Sequence, residues 1–171
     1  MIRSIRRKNN FYIYLSLILA LCIDSLTFSS TFHFIKPSLV LLTLIYWNLA
    51  IPDKVGISLS LVFGLLSDVL MGTVLGIHYL LFVIITYFCQ RFFYQIRVMP
   101  IYQQSIVFFF VFIFFKFTLS LDFFGVNIFK SNFSDITYLL NTIAFGVISA
   151  LCWIPVFLIL RKYRRRWITI E

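Results

Sequence analysis

Small residues recur at every fourth position between residues 51 and 76, and this spacing strongly constrains how the chain can fold. The positions are Gly56, Ser60, Gly64, Asp68, Gly72 and Gly76. On an α-helix, a four-residue spacing places side chains on one narrow face that drifts slowly around the axis. Inside an apolar segment, such a face lets a second helix backbone approach closely, as membrane helices do when they associate. We therefore predict a helix-packing or partner-binding face that carries one buried carboxylate, that of Asp68.

The composition indicates that lipid surrounds this chain. Of its 171 residues, 61% are hydrophobic and 12% are charged, and the mean hydropathy is +0.98. Soluble domains are typically about 25% charged. Because so few polar side chains cannot cover the surface of a soluble protein, we predict an all-α integral membrane protein. The three cysteines lack metal-ligand spacing and are interpreted as small hydrophobic residues.

Six apolar segments are expected to span the membrane. They cover residues 11–28, 38–51, 55–71, 74–90, 101–121 and 137–160. The second is short, since 14 residues at about 1.5 Å each cover about 21 Å of a ~30 Å hydrocarbon core. Tyr46 and Trp47 near its end are expected in the aromatic belt at the membrane interface. Because the connections are short, residues 1–171 are predicted to form a single membrane domain.

The distribution of basic residues predicts the orientation. With both termini cytoplasmic, the inside segments hold twelve of the 15 Lys and Arg residues, and the outside segments hold only Lys36 and Lys130. Such an excess is typical of cytoplasmic segments. We also expect the two terminal basic clusters to contact anionic lipids rather than nucleic acid, because they border apolar spans. The clusters are Arg3, Arg6, Arg7 and Lys8, and Arg161, Lys162, Arg164, Arg165 and Arg166.

Five polar residues are predicted to form a cluster in the outer third of the membrane. The estimated depth is about 18–22 Å from the cytoplasmic end for the three charged ones. Charges at such depth usually face the bundle interior and pair with one another. We predict that Asp68 or Asp24 pairs with Lys116, and that the start of the fourth helix donates backbone N–H groups to Asp68. The cluster comprises Asp24, Asp68, His78, Lys116 and Asn141.

Three interpretations of this cluster are open. An ion-paired clamp would lock the helices together, and it is favoured because the groups can satisfy one another. An outward-facing pocket would bind a ligand or a proton. In the third interpretation, Asp24 and Lys116 extend to the outer interface.

Sequence signatures of catalysis are missing. The chain has no Gly-rich phosphate loop, no H-E-x-x-H, no G-x-S-x-G and no Cys/His metal set. We therefore expect neither enzymatic activity nor a cofactor or metal ion.

Residues 45–88 resemble the bacterial rod shape-determining protein MreD family. The resemblance rests on the pair Tyr46 and Trp47, the turn at Pro52, the glycines at 56 and 64, and the segment 66–76 with Asp68, Gly72 and Gly76. It implies a non-catalytic, multi-pass scaffold in the bacterial inner membrane, part of the elongasome that supports lateral peptidoglycan synthesis and cell shape. It also implies a bitopic partner of MreC type and, through it, the MreB filament and the wall synthases.

A transporter is the alternative. The substrate-binding membrane subunits of vitamin-type transporters are similar in outline, and they usually carry an A-x-x-x-A face in the first span. Here Ala20 stands alone in the corresponding segment LSLILALC. The scaffold is therefore the favoured hypothesis.

Overall fold

The chain is helical throughout the part that the structure, a computed structural model, describes, which is residues 2–26, 36–52, 54–72, 75–120 and 136–167. No β-strand occurs in these ranges, so the all-α prediction is confirmed. The helices are α1 (Ile2–Ser25), α2 (Leu39–Ala50), α3 (Ile57–Met71), α4 (Ile77–Arg91), α5 (Phe93–Val98), α6 (Ile101–Ser120) and α7 (Ile136–Trp167).

Six of these helices correspond to the six predicted spans. The differences lie at the two ends, where α1 begins at Ile2 and α7 continues to Trp167, so that both basic clusters extend apolar helices. The short helix α5 lies between the fourth and fifth predicted spans and was not expected. Lys130, predicted to lie outside, falls beyond the described residues.

Helices that are adjacent in the sequence pack as antiparallel pairs. In the first pair, the Trp47 indole N–H donates to the Ser16 hydroxyl at 2.7 Å, while Asp24 accepts from the Val40 N–H at 2.8 Å. Early residues of α1 thus meet late residues of α2, and late residues of α1 meet the start of α2. The third hairpin, α6 with α7, follows the same rule.

Aromatic rings fill the contact between α6 and α7. The ring centroids of Phe108 and Trp153 lie 4.4 Å apart, and those of Phe112 and Phe145 lie 6.3 Å apart. Aromatic pairs at these separations contribute about 0.5–1.5 kcal/mol beyond the apolar area they bury. The phenylalanine-rich sequence of α6 therefore has a packing role on the side that faces α7.

Helix α2 is the central helix of the bundle. Each residue from 40 to 49 is buried, and α2 contacts α1, α4 and α7. The expectation that Tyr46 and Trp47 lie at the membrane interface is wrong, because both are buried by the surrounding helices. Ser16 provides the hydrogen bond that an indole would otherwise find among lipid headgroups. The shortest predicted span is thus the one enclosed by the others.

The outward surface of the bundle is apolar. Large apolar side chains such as Phe110, Leu151 and Ile159 are exposed along α6 and α7. By length and composition, Ile101–Leu119 and Leu139–Arg166 can cross a membrane. Exposed apolar surface of this kind suits lipid rather than water, which supports a membrane protein. The other apolar helices have 12 to 15 residues in their apolar parts, and the six-crossing topology stays a prediction.

Candidate functional site

Two glycines reverse the chain between α3 and α4. Gly72 has φ 64° and its N–H donates to the backbone oxygen of Asp68, and Gly76 has φ 109°. Left-handed backbone of this kind favours glycine, which has no Cβ to clash. A Cβ added at either position would meet nothing within 4 Å. These two members of the small-residue pattern therefore shape the turn, which returns the start of α4 to Asp68.

The Asp68 carboxylate is fully buried and accepts hydrogen bonds from the start of α4. One oxygen, Oδ1, accepts from the His78 N–H at 3.0 Å, while Oδ2 accepts from the N–H groups of Gly76 at 2.9 Å and Tyr79 at 3.3 Å. The first N–H groups of a helix lack intrahelical partners, and the helix dipole makes this end positive. The predicted donation from the start of the fourth helix to Asp68 is confirmed. Helix α4 thus supplies the groups that compensate a buried negative charge.

The His78 side chain completes this site. Its Nδ1 lies 2.8 Å from Oδ1 of Asp68, within ion-pair and hydrogen-bond distance. An imidazole that carries its proton on Nδ1 donates to the carboxylate in this geometry. The His78 ring also packs edge-on against Phe82 and against Phe115 of α6, with centroids 6.1 and 5.8 Å away. The site therefore connects α3, α4 and α6.

Gly64 brings the two helix backbones into contact one turn before Asp68. A Cβ at this position would lie 2.6 Å from the Cα of Tyr79, 3.0 Å from its nitrogen and 3.1 Å from the backbone oxygen of His78. Real Cβ atoms essentially never approach other heavy atoms to 2.6 Å. Only glycine therefore fits at residue 64, and the same stretch of α4 backbone is bound by Asp68.

The small-residue face of α3 lies inside the hairpin. Ser60 and Gly64 are buried with Asp68, while Gly56 lies opposite Gln90 at the far end of the pair. The structure thus directs this face towards α4 rather than outwards. A partner helix would have to displace α4 to reach it.

Asp24 forms a similar site at the start of α2. Its carboxylate accepts from the N–H groups of Leu39 at 3.1 Å and Val40 at 2.8 Å. Next to it, the Lys36 ammonium donates to the backbone oxygens of Ile23, Asp24 and Leu26, which lie at the end of α1. A carboxylate late in one helix therefore binds the start of the following helix twice in this chain.

The remaining members of the predicted polar cluster lie elsewhere. The Lys116 ammonium is 5.3 Å from the centroid of the Phe145 ring, a cation–π contact between α6 and α7. Asn141 is half-buried on α7. The structure brings Asp68 and His78 together and places Asp24 at the start of α2. The ion pair of Lys116 with an aspartate stays a prediction.

The chemistry of this site is that of a clamp. Among the described residues, no group of three or more His, Cys, Asp or Glu side chains could hold a metal ion. Both oxygens of Asp68 already accept hydrogen bonds from α4, and the carboxylate has no exposure to solvent. Hydrogen bonds to a charged group contribute about 1.5–3 kcal/mol each, so the arrangement stabilises the α3–α4 hairpin.

Two further features were not predicted from the sequence. A polar cavity of about 280 Å³ lies where α2 ends, between α7 and the start of α6. A wholly apolar groove of about 450 Å³ lies between α4 and α6. The arginines of the cavity belong to segments noted for their charge, but nothing in the sequence indicates that α2, α6 and α7 meet there.

Comparison with known proteins agrees with the resemblance. A family model described as rod shape-determining protein MreD matches residues 5–163. The rod shape-determining protein MreD of Haemophilus influenzae is 35% identical over 138 residues, which is 79% of this chain and 79% of that protein. No solved structure matches. Because the family match covers nearly the whole chain, including both carboxylate sites, the chain belongs to the MreD family of rod shape-determining proteins.

Proposed function

We propose that this protein is a non-catalytic scaffold of the cell-elongation machinery in the bacterial inner membrane. The observation that carries the proposal is the family match over residues 5–163, since the family acts in rod-shape determination. In this role the protein binds a bitopic membrane partner of MreC type. It thereby supports lateral peptidoglycan synthesis by the wall synthases and connects indirectly with the MreB filament.

The proposed topology has six crossings and two cytoplasmic termini. Tyr12 and Tyr163, near opposite ends of the chain, have ring centroids 6.2 Å apart. This contact supports placing the start of α1 and the end of α7 at the same end of the bundle. The basic clusters border these two segments, and the preference of Lys and Arg for the cytoplasmic side assigns that end to the cytoplasm.

A structural role for the buried ionisable groups supports the absence of catalysis. Asp24 and Asp68 both serve to bind helix starts. A carboxylate that is held in this way is poorly placed to transfer a proton to a substrate. We therefore propose that the partner binds the outward apolar surface, because the small-residue face of α3 is covered by α4.

Complementation tests the proposal directly. Cells lacking their own family member would express this chain, and cell width and retention of the bitopic partner on a purified, tagged chain would be measured. We expect rod shape and partner retention for the wild type and for Val69→Leu, a change at an exposed position beside Asp68. Restored rod shape without any retained bitopic partner would refute the scaffold mechanism. Round cells despite a folded, membrane-inserted chain would refute the role in shape.

A further inference from the structure

The cavity at the end of α2 is lined by cations and contains no acidic side chain on its lining. Three arginines from two separate segments line it, together with the start of α6. The first N–H groups of a helix and its dipole attract anions. The polar lining residues are Arg97, Arg161, Arg164, Tyr46 and Gln104.

Two buried polar atoms of this cavity have no hydrogen-bond partner among the described residues. Tyr46 is 2% exposed and Gln104 is 5% exposed. The unpaired atoms are the Tyr46 hydroxyl and Oε1 of Gln104. An unpaired buried polar group costs about 1–3 kcal/mol, so a bound group that pairs with both would be favoured.

The Gln104 side chain is fixed in its orientation. Its Nε2 donates to the backbone oxygens of Ile96 at 2.9 Å and Met99 at 3.1 Å, so Oε1 is the atom left without a partner. The cavity therefore offers one fixed acceptor as well as donors. Tyr46 supplies a neutral O–H donor, and the guanidinium groups of Arg161 and Arg164 lie within electrostatic range of it.

We propose that this cavity binds a phosphate group that carries or adjoins a hydroxyl. The arginines and Tyr46 donate to the phosphate oxygens, and the hydroxyl donates to Oε1 of Gln104. Planar guanidinium groups bind phosphate through two parallel hydrogen bonds, which gives both affinity and orientation. The headgroup of phosphatidylglycerol meets this description, and so does the monoprotonated form of inorganic phosphate.

The position of the cavity favours a lipid source. It lies at the basic end of the bundle, and its other walls are apolar, formed by Leu49, Ile101 and Phe157 among others. A lipid headgroup with its acyl chains along an apolar surface matches such a mixed lining. The site belongs to this chain alone and does not depend on the partner proposed above.

Binding to the purified protein in a non-ionic detergent tests the proposal. The probes are short-chain phosphatidylglycerol below its micelle-forming concentration, short-chain phosphatidylcholine, and inorganic phosphate. We expect saturable binding of phosphatidylglycerol that exceeds binding of phosphatidylcholine at least tenfold. Saturable binding of inorganic phosphate at similar concentrations would assign the site to free phosphate. Saturable binding of neither phosphatidylglycerol nor inorganic phosphate would overturn the proposal.

Two variants and a charge-matched control separate this site from general surface charge. Tyr46→Phe removes only the hydroxyl and Arg161→Gln removes one guanidinium, and each is expected to weaken binding about tenfold. Lys162→Gln removes the same charge from an exposed neighbour that does not line the cavity, and it should change binding less than twofold. Equal weakening by all three variants would overturn the proposal.

A further arm excludes loss of folding and a protein ligand. Circular dichroism and gel filtration show whether each variant is folded, and phosphatidylglycerol binding to the wild type decides the question if a variant is not. An acidic peptide that binds this cavity in place of the phosphate probes would also overturn the proposal. Partner retention by the wild type is measured separately, so failure here is distinguishable from failure of the scaffold function.

Discussion

Substitution of Gly64 by alanine tests whether the α3–α4 contact holds the bundle together. The new Cβ would lie 2.6 Å from the Cα of Tyr79, whereas ordinary contacts are 3.4–4 Å. Because the obstacle is backbone, the helices must separate by roughly 1 Å. That separation lengthens the hydrogen bonds from α4 to the Asp68 carboxylate.

The expected loss follows from three contributions. Overpacking costs about 1–3 kcal/mol, and weakening one charge-assisted hydrogen bond adds about 1.5 kcal/mol. Alanine recovers up to about 1 kcal/mol through its higher helix propensity. We therefore expect Gly64→Ala to lower the free energy of unfolding by about 2–3 kcal/mol, the balance of these contributions.

Gly146→Ala is the matched control. It lies in the α6–α7 contact, where an added Cβ would meet side-chain atoms of Ile113 at 2.8 Å and Phe109 at 3.1 Å. Because side chains can shift, its loss should stay within about 1 kcal/mol. Unfolding midpoints in dodecyl maltoside titrated with dodecyl sulfate compare the two variants. Equal midpoints for Gly64→Ala and Gly146→Ala would refute the argument from backbone contact.

The remaining predictions concern buried polar groups and the transporter alternative. Asp68→Asn should lower the free energy of unfolding by about 2 kcal/mol, because a neutral amide accepts fewer and weaker hydrogen bonds; an unchanged midpoint in the same titration would contradict the clamp. Asp24→Asn should cost less, since that carboxylate is 8% exposed, and a larger loss than for Asp68→Asn would show that the start of α2 is the more important site. Trp47→Phe should cost about 2 kcal/mol by removing the hydrogen bond to Ser16 and leaving a cavity, and this is checked by the same titration against Trp167→Phe. A panel of vitamins should leave the melting temperature unchanged, whereas stabilisation that grows with vitamin concentration would favour the carrier.

The sequence predicted what depends on local periodicity. The six long apolar helices are found within a few residues of their expected positions, apart from the polar extensions of α1 and α7. The four-residue spacing correctly indicated close approach at Gly64, because backbone contact requires a missing side chain. The donation from α4 to Asp68 was also accessible, since a carboxylate shortly before a helix start has unpaired N–H groups within reach.

The sequence could not predict which helix the others surround. Nearly every residue of α2 is apolar, so its pattern shows no lipid-facing side, and its short length suggested a peripheral position. The hydrogen bond between Trp47 and Ser16 joins positions 31 residues apart, which no local pattern reveals. The cavity at Tyr46 depends in the same way on the approach of α2, α6 and α7.

The pairing of charges was ambiguous for a related reason. Similar depth suggested that Asp24 or Asp68 would pair with Lys116, because oppositely charged groups at one depth attract. Helix starts competed for both carboxylates and lie closer in the sequence. Backbone donors are not visible as a residue type, so composition alone undervalues them.

The location of the two chain ends tests the account most directly. Green fluorescent protein, which becomes fluorescent in the cytoplasm but not after export in unfolded form, would be fused separately to each terminus. The account predicts fluorescence from both fusions in cells that retain rod shape. Fluorescence from one fusion only, with activity of an alkaline phosphatase fusion at the other end, would contradict an even number of crossings.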